Sequence, residues 1–202
     1  MKIDYCEQLS PEWWALKKGK ISGKRFGMVI SGKKNRLLFD LINENLSEFL
    51  FPDDYVDDDM QFGMDNETPA LELYSQQTGI KVIRVGAILS DLSPIHMASP
   101  DGMSDDFKII QEVKCTQDGG IHIQRFFEGP ESSYLSQIKN YFAVDDQVEE
   151  VHWISYCPSR IERPLIIIKF TRDQFEADIA KGRLAIKNIE AELSAKENAF
   201  VF

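Results

Sequence analysis

Three side chains in the middle of the sequence have the types and the spacing of a divalent-metal site. Asp101 precedes Gly102 in a Ser-Pro-Asp-Gly turn, and Glu112-Val113-Lys114 begins ten residues after that glycine, within an apolar run. Because side chains on a β-strand alternate between its faces, Glu112 and Lys114 project together while Val113 projects to the opposite, buried side. Two carboxylates and one amine are therefore predicted to converge.

This set of groups suits hydrolysis of a phosphodiester. Asp101 and Glu112 offer the hard oxygen ligands that Mg²⁺ prefers. Lys114 would steady the attacking water or the charge on the phosphate, and bound metal removes the need for a His or Ser nucleophile. A Glu-x-Lys triplet also arises about once by chance in such a chain, so a solvated ion pair is the alternative. This triplet is the only one here and lies at hairpin distance from the turn, which favours the metal site.

Five blocks of the sequence occur in a characteristic order: 10–22 with its Trp-Trp pair and Gly19, 63–79, 99–102, 112–115 and 137–141. Together they resemble the lambda-exonuclease-like, or YqaJ-type viral recombinase, branch of the PD-(D/E)xK nucleases. The resemblance implies an α+β fold with α/β/α layers. Its restriction-endonuclease-like core would be a mixed, mostly antiparallel central sheet flanked by helices, in a single domain over 1–202.

The resemblance also extends the predicted site. It makes Glu67 a third carboxylate that faces the metals through water, Val113 a ligand through its backbone carbonyl, and Gln137 a catalytic residue. It implies two Mg²⁺ ions, which Mn²⁺ could replace. Alternatively, Glu67 is a first-turn acid favoured by the helix dipole, with Pro69 marking the helix start. Gln137 and Tyr141 lie four residues apart, a spacing common in plain helix packing. In the family the two residues hold the DNA backbone or metal-bound water near the site, and contact with the DNA backbone is the role assigned to Tyr141.

Charge is sharply segregated along the chain. The 33 acidic and 23 basic residues give a net charge of −10, which argues against a generally adhesive nucleic-acid binder. Residues 17–36 hold eight basic residues and no acid, whereas residues 37–59 hold eight acids and no base. Such blocks are often solvated faces or mobile loops. Because the basic block coincides with the first family block, it predicts a local phosphate-binding surface.

The resemblance gives this basic surface a specific role, which is to hold the 5′-terminal phosphate of DNA. Lys17 and Ser22 match two of the family positions, and Lys24 lies where lambda exonuclease has a serine. Lysine is a point charge where the family often has a bidentate arginine. Further contacts to the DNA backbone are predicted for Lys18, Lys20 and Arg25. Trp13 and Trp14 are predicted to anchor the core or an interface, with base stacking as the alternative.

Capping residues and hydrophobic periodicity predict the elements that position these groups. Helices are predicted at 10–19, 22–31, 35–51, 65–77, 131–144 and 172–199. Strands of an antiparallel meander are predicted at 80–89, 96–99 and 108–116, and further strands at 150–157 and 165–170. Loops are predicted at 52–59 and 116–120. The last helix carries one apolar stripe of Phe175, Ile179, Ile186, Ile189 and Leu193.

Composition bounds the remaining possibilities. With 202 residues and 43% hydrophobic content, the chain is long enough for one substantial core and short for two domains. No run approaches ~18 apolar residues and no signal-peptide pattern opens the chain, so a cytoplasmic protein is predicted. Cys6, Cys115 and Cys157 are odd in number and widely spaced, which indicates neither disulfides nor a cysteine metal cluster. Cys115 is predicted to pack within its strand.

These features predict a Mg²⁺-dependent 5′→3′ exonuclease for linear double-stranded DNA. The resemblance implies that it leaves 3′ single strands for an annealing protein and forms a homotrimeric ring around DNA. A ring would turn basic stretches inward and acidic ones outward. Its interface candidates are Trp13-Trp14 and the tail 200–202, although intramolecular packing explains either. The alternatives are another PD-(D/E)xK nuclease, either an endonuclease or a single-strand exonuclease, and a non-catalytic DNA-end or partner-binding protein.

Overall fold

The computed structural model describes residues 1–48 and 57–201. In these ranges the helices are α1 (Pro11–Lys17), α2 (Gly23–Ile30), α3 (Lys34–Leu46), α4 (Asp58–Thr78), α5 (Gly119–Glu128), α6 (Ser132–Val144) and α7 (Glu176–Val201). A 3₁₀ turn at Arg172–Phe175 precedes α7. The strands are β1 (Lys2–Asp4), β2 (Val82–Ile83), β3 (Ala87–Leu89), β4 (Met97–Ala98), β5 (Gly102–Ser104), β6 (Ile109–Cys115), β7 (Glu150–Tyr156) and β8 (Leu165–Thr171).

The central sheet has five strands in the order β2-β5-β6-β7-β8. All neighbours are antiparallel except β6 and β7, which run parallel with Glu112 opposite Trp153 and Lys114 opposite Ser155. A parallel pair needs a long crossover, and α5 and α6 supply it. A second, three-stranded sheet has the order β1-β3-β4. The prediction of a mixed, mostly antiparallel sheet flanked by helices is confirmed.

The two faces of β6 pack against different layers. Val113 belongs to a smaller apolar cluster that includes Leu71 and Tyr74 of α4. The opposite face carries Ile110, which joins the larger core formed with α2, α3, α6 and α7. Glu112 lies on this second face. The predicted alternation of β6 therefore sends the catalytic candidates toward α6 and the apolar side chain toward α4.

Helix α4 begins earlier than predicted. Asp57 caps it by accepting a hydrogen bond from the Met60 amide at 2.7 Å, and the helix runs from Asp58 to Thr78. The predicted start at residue 65 was therefore wrong, and Pro69 lies inside the helix rather than in its first turn. Residues 58 and 59, which were predicted to be loop, are its first turn. The predicted helix 35–51 ends too late, because α3 stops at Leu46 with Ser47 as its C-cap. Residues 49–51 of that helix and most of the rest of the predicted loop lie outside the described residues.

The predicted strand 80–89 is two strands in two different sheets. Val82 and Ile83 pair with β5, whereas 87–89 pair with β1 and β4. Between them the backbone passes so close to Cys6 that a Cβ on Gly86 would lie 2.2 Å from the Cys6 carbonyl oxygen. The predicted meander was wrong, because it required β4 to pair with β6. In the structure β4 pairs with β3, and β6 pairs with β5 and β7.

Three elements have no counterpart in the sequence-based prediction: β1, β5 and α5. Gly119 and Gly120, assigned to a loop, are the first residues of α5. Their poor helix propensity hid a helix that Asp118 caps through hydrogen bonds from the Gly120 and Ile121 amides. The predicted loop is therefore confined to 116–118.

The three cysteines are free thiols, as predicted. Cys115 is half-buried beside the smaller cluster. The predicted stripe on α7 is confirmed for Ile179, Ile186, Ile189 and Leu193, which are all buried. Among the residues that the structure describes, no helix combines the length and the apolar character needed to cross a membrane.

Candidate active site

The turn that carries Asp101 is fixed on both sides. The Val113 amide of β6 donates to Asp101 Oδ2 at 2.6 Å, which ties the turn to the strand that carries Glu112. From the other side, Trp13 Nε1 donates to the Gly86 carbonyl oxygen at 3.0 Å and to Ser99 Oγ at 3.2 Å. Trp13 is thus a buried core anchor, as predicted.

Glu112 is fully buried, and its carboxylate is held from two directions. Lys114 Nζ donates to Oε1, and the Tyr141 hydroxyl of α6 donates to Oε2. Lys114 Nζ also donates to the Val113 carbonyl oxygen at 3.1 Å. The structure therefore brings Asp101, Glu112 and Lys114 together, as their spacing predicted.

The charges at this site strongly influence one another. Burial, and next the charge of Asp101, raise the pKa of Glu112 to about 7. The same two causes raise the pKa of Glu67 to about 7. Although burial lowers the pKa of Lys114, the charges of Glu112 and Asp101 outweigh it and raise that pKa above its usual value. Crowded carboxylates of this kind are stabilised by additional positive charge.

The donor set fits a hard divalent cation. Asp101, Glu112 and the Val113 carbonyl present oxygen atoms, the ligand type that Mg²⁺ prefers, and Mg²⁺ completes its shell with water and phosphate oxygens. The positively charged Lys114 amine already donates hydrogen bonds to the Glu112 carboxylate and to the Val113 carbonyl oxygen. Within 1–48 and 57–201, no three His, Cys, Asp or Glu side chains form a metal cluster by themselves.

Glu67 is near this site but is engaged elsewhere. It forms an ion pair with Arg84, which lies in the connection between β2 and β3. Asp101 is close enough to raise its pKa. The predicted contact of Glu67 with a metal through water stays a prediction. Arg84 could not be predicted as the partner of Glu67, because it lies 17 positions further along the sequence and no local spacing rule joins the two.

Tyr141 of α6 lies directly beside Glu112. Its side chain is buried, its hydroxyl donates to Glu112, and its oxygen lies 3.2 Å from the Ser99 carbonyl oxygen. In the structure this hydroxyl orients Glu112, and contact of Tyr141 with the DNA backbone stays a prediction. Gln137 donates to the Tyr141 hydroxyl oxygen at 3.4 Å and lines the cleft described next.

One cleft of about 960 Å³ joins the predicted metal site to the predicted phosphate surface. Its walls include Asp101, Glu112 and Lys114. They also include all three residues predicted to hold a 5′-phosphate, namely Lys17, Ser22 and Lys24. Ser22 is the N-cap of α2 and its side chain makes no capping hydrogen bond. Helix N-termini favour anions, so the local structure suits a phosphate.

The basic residues of the cleft differ in how free they are. Lys17 Nζ lies 4.3 Å from the centre of a Trp13 ring and 5.0 Å from that of Trp14. Burial, and next the charge of Arg25, lower the pKa of Lys17. Arg25 forms an ion pair with Glu44, which also accepts a hydrogen bond from the Gly19 amide at 2.9 Å. Lys17 is therefore poised on an aromatic platform, whereas Arg25 is neutralised by an acid.

Not all of the side chains predicted to contact the DNA backbone lie at the cleft. Lys18 lines it, but its amine donates to the Ser47 carbonyl oxygen. Lys20 is not among the lining residues. Glu44 does line the cleft, although the sequence placed it in an acidic block with no link to the phosphate surface. Lys18 and Arg25 are thus paired within the protein, so fewer of the basic side chains of residues 17–36 are free to bind phosphate than the sequence indicated.

A buried arginine behind β6 was also missed. Arg125 of α5 donates to Glu131 at 3.0 Å and to the Lys114 carbonyl oxygen at 3.3 Å. Its guanidinium carbon lies 6.0 Å from the centre of the Tyr134 ring, and Lys114 Nζ lies 5.4 Å from the same ring. Arg125 therefore supports the backbone and the aromatic surface on which Lys114 rests.

Comparisons with known proteins give one family match and several similar solved structures. Residues 12–147 match the YqaJ-like viral recombinase domain. The crystal structure of the alkaline exonuclease LHK-Exo from Laribacter hongkongensis has a TM-score of 0.80 at 24% identity, covering 95% of this chain and 96% of that chain. LHK-Exo in complex with dAMP gives 0.80 at 25% identity with the same coverage. A phage-related exonuclease from Haemophilus somnus 129PT gives 0.59 at 14% identity, with 91% and 98% covered.

No curated protein matches the sequence significantly. The family match nevertheless spans more than half of the chain and contains Lys17, Glu67, Asp101, Glu112, Lys114 and Tyr141. The solved exonucleases share the layered fold, with its PD-(D/E)xK-like core, over nearly the whole chain. The family resemblance of the five sequence blocks is thereby confirmed. The chain belongs to the YqaJ-like viral recombinase domain family.

Proposed function

We propose that this protein is a Mg²⁺-dependent 5′→3′ exonuclease that degrades one strand of linear double-stranded DNA and leaves 3′ single strands for recombination by annealing. One observation carries the proposal. A single cleft contains both the Asp101-Glu112-Lys114 group and the basic surface at the start of α2. An enzyme that binds a 5′-terminal phosphate beside its hydrolytic centre is suited to remove nucleotides from that end.

The chemistry follows from the groups on β6 and its turn. Bound Mg²⁺ would supply Lewis-acid polarisation of the phosphate and a more acidic water. Asp101, Glu112 and the Val113 carbonyl would hold it, with Glu67 acting through water. Lys114, held protonated by its neighbours, would stabilise negative charge on the phosphate. A second ion, and Mn²⁺ in place of Mg²⁺, belong to the same proposal.

The 5′ end would bind at the opposite wall of the cleft. Lys17 presents an amine on the Trp13-Trp14 platform, and Ser22 and Lys24 lie at the N-terminus of α2. Charge-assisted contacts to phosphate are among the stronger hydrogen bonds. Lys17→Ala and Lys24→Ala should shrink the rate advantage of 5′-phosphorylated over 5′-hydroxyl ends. Equal loss on both kinds of end would instead indicate general binding of the backbone.

The direct test of polarity uses linear duplexes labelled at either end, with and without a 5′-phosphate. We expect Mg²⁺-dependent release of nucleotides from the 5′ end only, fastest on phosphorylated ends, and no nicking of circular plasmid. Plasmid nicking would identify an endonuclease. Degradation of single strands alone would identify a single-strand exonuclease, and binding without cleavage a DNA-end-binding protein.

The proposal includes assembly into a homotrimeric ring around DNA, in the cytoplasm, with a single-strand annealing protein as partner. The net charge of −10 supports a symmetric arrangement that turns basic stretches inward. Phe200 and Val201 at the end of α7 are exposed and available for such an interface, whereas Phe202 lies outside the described residues. Light scattering at micromolar concentration tests the ring. A monomer mass that persists with DNA and Mg²⁺ would exclude it.

A further inference from the structure

Helix α5 has the reverse of the usual distribution of side chains. Its inward face carries His122 and Arg125, both buried, whereas its outward face carries Ile123, Phe126 and Phe127, all exposed. A helix that packs on a core normally buries its apolar face. Packing among the residues that the structure describes therefore does not account for the outward face of α5.

This apolar face forms one wall of a groove, here called the α5 groove. The other wall is the connection from β7 to β8, which contributes Arg160, Ile161 and Arg163. The groove has a volume of about 540 Å³ and shares no lining residue with the active-site cleft. Phe127 is 77% exposed and Ile161 95% exposed. Contiguous exposed apolar surface with a polar rim is typical of an interaction site.

The groove walls are held in place from behind. His122 forms hydrogen bonds of 2.9 Å with Ser155 Oγ on β7 and with the Arg163 carbonyl oxygen in the connection. At the start of α5, the Arg160 guanidinium lies against Gly119, where a Cβ would come within 2.0 Å of it. The two walls are therefore fixed relative to each other, which lowers the entropic cost of binding.

The rim of the groove is positively charged. Neither Arg160 nor Arg163 forms an ion pair with any residue in the ranges described, and Glu162 is the single acid of the lining. On a chain of net charge −10, such a rim is a local exception. Charge complementarity therefore selects an occupant that combines carboxylates with apolar side chains.

Other occupants fit less well. Single-stranded DNA needs a row of free aromatic faces along a basic track, but the Arg163 guanidinium carbon lies 4.4 Å from the centre of the Phe126 ring and covers it. A two-fold contact between α5 grooves of two copies would place like-charged arginine pairs against each other, which is unfavourable.

We propose that the α5 groove docks a short acidic segment of a partner protein. One or two large apolar side chains of that segment would fill the space between Phe127 and Ile161, and its carboxylates would bind Arg160 and Arg163. This contact recruits a second protein to the face behind the catalytic strand, and it is independent of the hydrolytic chemistry proposed above.

The test uses fluorescein-labelled ten-residue peptides that combine Asp or Glu with Phe, Trp or Leu in varied spacing, read by fluorescence polarisation. Counterpart peptides carry Lys for every acid or Ser for every apolar residue. We expect binding by members of the first set only. Ile161→Ser and Arg160→Glu should each weaken it at least tenfold, while digestion of linear duplex stays at the wild-type rate.

Matched controls are Leu92→Ser, at a side chain that is 60% exposed on another part of the surface, and Lys81→Glu, a similar charge reversal in an exposed side chain. These should leave peptide binding unchanged. Absence of binding throughout the acidic set overturns the proposal, as does binding that survives both groove variants. Loss of oligothymidylate binding in the groove variants would assign the face to DNA instead. A change in the mass of the groove variants by light scattering would assign it to a second copy of this chain. None of these results bears on whether the protein cleaves DNA.

Discussion

Replacing Tyr141 with phenylalanine isolates the support that α6 gives to Glu112. The substitution removes one hydroxyl and keeps the buried ring, so the packing of α6 against the sheet is preserved. The lost hydroxyl donates to Glu112 Oε2 and accepts from Gln137. Because Glu112 is fully buried, no solvent can take the place of this donor.

The size of the effect follows from the type of bond. A hydrogen bond to a charged group contributes about 1.5–3 kcal/mol, and removal of a group that orients a metal ligand typically costs about 10–100-fold in metal affinity or activity. We therefore expect Tyr141→Phe to raise the half-saturating Mg²⁺ concentration about 10–100-fold. The affinity for DNA in Ca²⁺ should change little, because Tyr141 is only 1% exposed and its hydroxyl is engaged by Glu112.

The assay is the initial rate of digestion of a linear 5′-phosphorylated duplex over a range of Mg²⁺ concentrations. Tyr5→Phe is the matched control, since Tyr5 is largely exposed and does not line the active-site cleft. Thermal unfolding monitored by circular dichroism shows whether the variant is folded. A folded Tyr141→Phe protein with the wild-type Mg²⁺ dependence and maximal rate would refute the role assigned to this hydroxyl.

Three further predictions concern groups outside the metal ligands. Arg125→Gln should lower the maximal rate roughly tenfold with little change in KM, because Arg125 supports the Lys114 backbone. Arg125→Lys should recover part of the lost rate. Equal loss in both variants would point to misfolding. Gly182→Ala should lower the free energy of unfolding by about 1–3 kcal/mol in urea, because the new Cβ would lie 2.3 Å from the buried Phe26 ring, and wild-type stability would contradict this contact. Burial lowers the pKa of His96 to about 4. The contribution of His96 to the free energy of unfolding is therefore fully present above the unfolded pKa near 6.5, and about 3 kcal/mol of it should be lost as the pH drops from 6.5 to 4. A His96→Gln variant whose free energy of unfolding falls equally steeply would exclude His96 as the source.

The parts of the site that depend on local rules could be predicted from the sequence. Alternation along a strand places Glu112 and Lys114 on one face whatever the rest of the fold does. The Asp-Gly turn must lie close to the next strand of its hairpin, and the Val113 amide indeed binds Asp101. These inferences hold because each joins residues that are near in sequence.

Contacts between distant segments could not be predicted in the same way. The pairings of Glu67 with Arg84 and of Arg25 with Glu44 depend on how helices and connections are brought together by the core. Tyr141 was assigned a helical face correctly, but whether that face meets DNA or Glu112 depends on the position of α6 relative to the sheet. Helix α5 was missed because its two glycines weaken the local signal that Asp118 restores.

The most direct test of the proposed active site is single-turnover digestion of a 5′-phosphorylated linear duplex by Glu112→Gln. The substitution keeps the shape of the side chain and removes its negative charge. Loss of a metal ligand should remove several kcal/mol of transition-state stabilisation, a fall in rate of about 1,000-fold or more, while DNA binding in Ca²⁺ persists. Digestion at the wild-type rate in Mg²⁺ would contradict the assignment of Asp101, Glu112 and Lys114 as the hydrolytic centre.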